Sequence, residues 1–205
     1  MEPGLLLVVS GPAGSGKGTV NKNLLSSPEY VLSVSATTRA PRPGETDGKE
    51  YRFISREAFL KMIADGDLLE YTEYCGNFYG TPRRAAEEVL ASGRNLILEI
   101  EVEGAMNIKK LRPDAVLVML LPPSYAEQEA RLRGRATETE EKILARLERT
   151  KEELNFLPQY DYIVVNREGG IEECANRIRA IVAAEKSAVR RHPGAKADYL
   201  ANKPL

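Results

Sequence analysis

Tryptophan is absent from this chain of 205 residues, histidine occurs once and cysteine twice. A single histidine, His192, cannot build a histidine metal centre, and no Ser/His/Asp set is visible. Cys75 and Cys174 stand apart with no CxxC pairing, which reads as reduced thiols rather than a metal or redox centre. No apolar run approaches the ~20 residues that would span a bilayer. The opening MEPGLLLVVSG lacks a basic leader and its apolar run is short, so the expectation is no signal peptide and a cytoplasmic location. An excess of either charge is also missing. Lys plus Arg number 29 against 30 Asp plus Glu, a net charge of -1. That balance argues against broad nucleic-acid binding, and any basic site must be local. Neither an internal repeat nor a low-complexity tract is present.

What is present is an α/β pattern. Residues 5–10 form a continuous apolar run of the kind buried on both faces of a parallel sheet. Similar runs recur at 31–34, 95–100, 115–121 and 162–165, with helical periodicity at 16–25, 104–111 and 171–189. Alternation of strand and helix predicts a three-layer α/β core around a mostly parallel sheet. Two stretches break the rhythm. Residues 35–92 are polar and rich in Arg, Tyr and Gly, with helices expected around 56–64 and 82–90. Residues 124–157 are helical and charged, opened by the capping box Ser124-x-x-Glu127 and restarted by Thr137-x-x-Glu140. The organisation expected is one core (1–34, 93–123 and 158–205) carrying a flap (35–92) and a helical lid (124–157). The length suits one such domain.

The first strand runs into Gly11-Pro12-Ala13-Gly14-Ser15-Gly16-Lys17-Gly18-Thr19, which has the G-x-x-x-x-G-K spacing of a phosphate-binding loop between strand and helix. Glycines let the backbone wrap an anion closely, and the helix start adds its positive end. Lys17 supplies a mobile charge for the β- and γ-phosphates. Gly18 occupies the place that usually holds the magnesium-facing hydroxyl, so Thr19 becomes the candidate for Mg²⁺. This GKGT form resembles the loop of nucleoside monophosphate kinases.

Such a loop implies a nucleoside triphosphate and leaves the reaction open. The flap supplies more. Arg39 and Arg42 lie on an extended, Pro-stiffened segment, SATTRAPRPGE, followed by Tyr51 in GKEY and Tyr79 in NFYGT. Two guanidinium forks and two phenols can orient a phosphate monoester. Glu70 lies between these groups in sequence.

These motifs together resemble guanylate kinase over nearly the whole chain, from about residue 5 to 184. They are GPAGSGKGT, SVSATTRAPRPGE, GKEYRF, GNFYGTP, LEIEVEGA, LRGRATETEEKI and DYIVVN. The resemblance implies that Arg39, Arg42, Tyr51 and Tyr79 hold the phosphate of GMP. Ser35, Glu70 and Thr81 would read the guanine. Arg135 and Arg146 would reach from the lid onto the ATP phosphates beside Lys17, with Arg131 as a further ATP contact and Asn166 near the adenine. ATP with Mg²⁺, GMP and also dGMP are the implied ligands, and the oligomeric state stays open. One departure concerns the stretch directly after the apolar run 95–100. The family pattern Asp-x-Gln-Gly reads Glu101-Val102-Glu103-Gly104 here, so Glu101 is the candidate facing guanine or metal, with Glu99 as the alternative. The tail beyond Lys186 is expected to be a solvated extension.

The implied chemistry is phosphoryl transfer from MgATP to GMP, which needs positioning and charge neutralisation rather than a protein nucleophile. Rival readings are a non-catalytic phosphopeptide-binding module of the same fold, a monophosphate kinase for another base, and a GTPase switch. The first is disfavoured by the intact Gly11, Gly16 and Lys17, and the third by the lack of an N-K-x-D element.

Overall fold

The structure is a computed structural model that describes residues 2–74, 76–134 and 139–202; Cys75, Arg135 and Thr137 therefore lie outside the described residues. Its centre is a parallel sheet of five strands, β1 (Leu6–Ser10), β2 (Tyr30–Leu32), β7 (Asn95–Leu98), β8 (Val116–Leu121) and β9 (Tyr162–Val165), in the order β2-β7-β1-β8-β9. Register is fixed on both sides of β1 by Leu7 opposite Ile97 and Leu7 opposite Val116. All five residues of β1 are buried because helices cover both faces of the sheet.

Alternation along β1 assigns each side chain to a layer. Leu5, Leu7 and Val9 pack on one face with α1 (Lys17–Leu24) and α7 (Ile171–Lys186), through Val20, Leu24, Ile178 and Val182. Leu6 and Val8 pack on the other with α3 (Arg83–Ala91) and α4 (Val102–Leu111), through Leu90, Ala105 and Ile108. Three layers result.

A second sheet, in the order β4-β3-β6-β5, joins β3 (Ala36–Thr37), β4 (Arg52–Phe53), β5 (Leu68–Tyr74) and β6 (Asn77–Pro82). It carries α2 (Arg56–Ala64), capped by the Ser55 hydroxyl, which accepts from the Ala58 amide at 3.1 Å. Phe59 of α2 stacks on Phe78 of β6 with ring centroids 5.2 Å apart, inside a small core with Ala36 and Leu68. The sequence of this stretch, polar overall, conceals that core. Leu69 of β5 faces the other way and joins the main core, which ties the second sheet to the first.

Helices α5 (Tyr125–Gly134) and α6 (Glu140–Leu154) pack around Leu132, Ile143 and Leu147. Ser124 caps α5 by accepting from the Glu127 amide at 3.1 Å. The expected restart at Thr137 differs from what is found. The N-cap of α6 is Thr139, whose backbone is extended (ψ 156°) and lets the helix begin at Glu140.

The tail also departs from expectation. Residues Val189–Arg191 form a 3-10 turn, and α8 (Ala195–Leu200) follows. Arg190 and Arg191 both bind the Glu185 carboxylate, which is 2% exposed and also accepts from the Tyr162 hydroxyl at 2.6 Å. Arg191 further donates to the Asp114 carbonyl at 2.8 Å. The tail therefore begins as a docked clamp, because a carboxylate buried at the end of α7 needs partners. Among the described residues no helix is long and apolar enough to cross a membrane.

Candidate active site

The crevice lies at the carboxyl ends of β1, β7 and β8, where the connection from β1 runs to β2 on one side of the sheet and that from β8 to β9 on the other. In open parallel sheets this is where ligands bind. Residues 11–16 form a loop held at three points. A Cβ on Gly11 (φ 155°) would overlap the Leu120 carbonyl. A Cβ on Gly16 (φ 91°) would overlap the Asn166 amide. That amide donates to the Ser15 carbonyl at 2.8 Å, and the Gln128 amide donates to the Ala13 carbonyl at 3.0 Å.

Gly16 is the N-cap of α1 and has no side chain to satisfy the helix start, and the first turn holds no acid. Its amides and positive dipole end are left for an anion. Lys17 donates to the Gly11 carbonyl, and to that of Pro12 at 3.5 Å, so its ammonium already lies over the loop. The Ser15 hydroxyl is buried without a hydrogen-bond partner.

Opposite the loop, α6 presents Lys142, Arg146 and Arg149. With Lys17, Glu101 and Glu153 they line a cavity of about 310 Å³. Four cations against two acids make it a place for polyphosphate. Arg149 binds Glu153 at 3.0 Å and Glu101 at 3.3 Å. Glu101, at the N-cap of α4, thus turns towards α6 and the cavity, whereas Glu99 accepts from Asn21 of α1 at 2.8 Å. Burial, and next the nearby Glu101, push the Glu153 carboxyl up from its ordinary value. Arg131 donates to the Asn166 carbonyl at 3.0 Å, which brings these two together at the loop's flank. Asn166 itself is 3% exposed and braces the loop from below.

The second sheet assembles the other cluster. Arg39 donates to both oxygens of Glu45, at 2.9 and 3.0 Å, and Glu45 also accepts from the Arg42 backbone at 2.7 Å. The Arg39 hydrogen bond, foremost, holds the Glu45 carboxyl below the usual range. The Arg39 guanidinium lies 5.4 Å from the Tyr51 ring centre, and Tyr51 meets Tyr79 edge to face at 6.0 Å. Arg42 is exposed at the rim, and Thr19 is exposed on the first turn of α1. Ser35 precedes β3 and is half-buried.

Glu70 and Thr81 face each other across the β5–β6 pair, and the Thr81 hydroxyl donates to Glu70 at 2.8 Å. Glu70 is 4% exposed, and desolvation pushes its carboxyl up to about 7 despite the hydrogen bonds from Thr81. Of the expected site residues, Lys17, Glu101 and Arg146 thus line one cavity, Arg131 meets Asn166 at the loop's flank, Arg39, Tyr51 and Tyr79 meet on the second sheet, and Glu70 meets Thr81. Sequence reasoning missed Glu45, Gln128, Lys142 and Arg149. Lys142, Arg146 and Arg149 share the i, i+4, i+7 face of a helix, a signal that periodicity carries. Gln128 gives no such signal.

The comparisons with known proteins agree with this layout. The family described as guanylate kinase matches residues 4–185. A guanylate kinase from Streptococcus thermophilus is 47% identical, covering 100% of this chain and 98% of its own. One from Halalkalibacterium halodurans is 51% identical over 90% of each chain. The crystal structure of guanylate kinase from Anaplasma phagocytophilum matches with a TM-score of 0.74 and 36% identity, covering 93% of this chain and 90% of that one. A phosphate loop faced by a cationic helix, a second sheet with its own arginines and buried acid, and likeness along almost the full length lead to one conclusion: the chain belongs to the guanylate kinase family.

Proposed function

We propose that this chain is an ATP:GMP phosphotransferase that converts ATP and GMP to ADP and GDP, acts on dGMP as well, and works in the cytoplasm. The observation that carries this is the pairing of two clusters in one molecule: the Lys17 loop with its cationic helix, and the second sheet with its buried Glu70–Thr81 pair and, on the same strand as Thr81, the Tyr79 that meets Tyr51 beneath Arg39. A phosphopeptide-binding relative of this fold would have no use for the first cluster.

In this reading the ATP phosphates lie on residues 11–19 with Lys17 and Arg146 around the transferring group, joined by Arg135, which lies outside the described residues. Arg131 and Asn166 flank the adenosine side. Arg39, Arg42, Tyr51 and Tyr79 orient the GMP phosphate so that its oxygen meets the γ-phosphorus in line. Glu70, Thr81 and Ser35 take the guanine edge. Residues 35–92 and 124–157 act as flap and lid closing over the core, which excludes water that would hydrolyse ATP.

The oxygen donors beside the loop fit Mg²⁺. Thr19 is exposed at the helix start, and Glu99 stands about 4 Å from where a Gly18 side chain would begin. Magnesium typically takes one or two carboxylates plus substrate phosphates rather than a dense acidic cage. When bound it neutralises charge on the β- and γ-oxygens. Glu101 opens onto the same cavity as Lys17, which suits the phosphate side better than the guanine.

A coupled assay of ADP release with MgATP and each of GMP, dGMP, AMP, UMP and TMP tests the assignment. Turnover with GMP and dGMP is expected, and turnover with AMP but not GMP overturns it.

A further inference from the structure

We infer that Gln128, through Thr150, is a positioning residue that couples the phosphate loop to the turn of α6 carrying Arg146; this rests on the proposed role of Arg146 at the transferring phosphate. The Gln128 side chain is 1% exposed and its amide has two hydrogens to give. One goes to the Ala13 carbonyl in the loop at 3.0 Å and the other to the Thr150 hydroxyl at 2.8 Å. Thr150, 2% exposed, then donates its own hydrogen to the Arg146 carbonyl at 2.9 Å. Every donor in this relay is spent, and Gln128 donates both ways, to the loop carbonyl and towards the helix that carries Arg146.

The relay sits in apolar surroundings. Leu132, Ile143 and Leu147 pack together with Ala13 against them, so the lid's own core includes a residue of the phosphate loop. In such surroundings a hydrogen bond is strengthened and water does not substitute for a lost partner. A threonine hydroxyl bonding back to the carbonyl four residues earlier adjusts the local helical turn. The turn adjusted here is the one that bears Arg146. Ligand phosphates that draw the loop amides inward shift the Ala13 peptide, and the relay carries that shift to the arginine. The lid is thereby set by the triphosphate and not by GMP.

The test compares Thr150→Val, which keeps the shape and removes the relay, with Thr150→Ser, which keeps the hydroxyl. Gln128→Leu and Arg146→Ala complete the set, and each variant is checked by thermal unfolding. We expect Thr150→Val and Gln128→Leu to lower kcat roughly 5- to 20-fold with the KM for GMP within about twofold of the parent, and Thr150→Ser to retain kcat within about twofold. In an Arg146→Ala background, Thr150→Val should add no further loss, because the arginine it positions is gone. Full kcat in a folded Thr150→Val protein, a parallel rise in the GMP KM, or losses that multiply independently with Arg146→Ala each overturn the inference. If Gln128→Leu does not fold, the two Thr150 variants decide. An Arg146→Ala enzyme with undiminished kcat overturns the role of Arg146 itself, a distinct result.

Discussion

The Glu70 carboxylate and the Thr81 hydroxyl meet at 2.8 Å across neighbouring antiparallel strands, and the other carboxylate oxygen lies over Gly104 of α4, about 3.5 Å from where its Cβ would stand. The acid is therefore held by one neighbour and left with acceptor capacity on its second oxygen. Guanine presents N1–H and its exocyclic amine side by side, two donors that match one carboxylate. Adenine offers an acceptor at N1. Replacing Glu70 by Gln should cost roughly 2–4 kcal/mol in kcat/KM for GMP, because a site built for polar edges loses most when they are mismatched. Steady-state kinetics with GMP and AMP check this, and an unchanged GMP-to-AMP ratio would move the specificity to Ser35 or Thr81.

The same burial predicts a pH effect with a definite sign. Burial raises the folded-state Glu70 carboxyl from 4.5 to about 7, so the folded protein holds a proton that the unfolded chain releases. Its contribution to stability is complete below about 4.5 and is lost as pH rises through 7. The ligand-free Glu70→Gln protein should therefore gain stability over the parent between about pH 5 and 8, towards a ceiling on the order of 3 kcal/mol. Denaturant unfolding at several pH values measures this. Ionised Glu70 is also the form that accepts from guanine, so GMP binding near pH 6 should release more protons in the parent than in the variant. Calorimetry in buffers of different ionisation enthalpy reads that difference.

Lys17 already touches the carbonyls of Gly11 and Pro12, so its charge belongs to the loop and not to the flap. Lys17→Ala should reduce kcat/KM by roughly two orders of magnitude or more, the scale of losing a strong electrostatic donor. GMP affinity measured without ATP should barely change. Near-parental turnover would remove the phosphate-loop assignment.

Arg42 and Arg146 should separate by kinetic parameter. Arg42 stands exposed at the rim with its backbone held by Glu45, so Arg42→Ala should weaken GMP capture by about 1.5–3 kcal/mol. Arg146 lines the cavity beside Lys17, so Arg146→Ala should depress kcat and leave GMP affinity nearly intact. Binding titrations alongside turnover tell the two apart, and reversed effects would mean that flap and lid exchange roles.

Legibility in the sequence followed locality. The loop from Gly11 to Thr19 could be read because its backbone demands fall on adjacent residues, and β1 because burial on both faces forces an unbroken apolar run. The second sheet shows in the sequence only as short strand-like pieces and two helices in a polar stretch, and its small core is hidden because Phe59 and Phe78 find each other only after a helix and a hairpin have formed. Gln128 looked like any polar residue on a charged helix, and its meaning comes from Ala13, 115 positions away. The clamp on Glu185 was invisible for the same reason: two consecutive arginines in a tail resemble a solvated end until the carboxylate beneath them is located.

The strand order β2-β7-β1-β8-β9 sets a timetable for the nascent chain. The nucleotide loop is synthesised before most of the sheet that carries it, and β1 has no sheet partner until β7 emerges near residue 95 and β8 near residue 116. The last brace, from Asn166 to Ser15, spans 151 positions. Contacts of such separation slow folding, because loop closure costs entropy before the sheet rewards it. A chain halted during synthesis before β9 would lack both α7, which covers the Leu7 and Val9 face of β1, and the Asn166 brace on the loop. Competence to hold ATP should therefore arrive late and abruptly as the chain lengthens, and N-terminal fragments should aggregate rather than bind nucleotide.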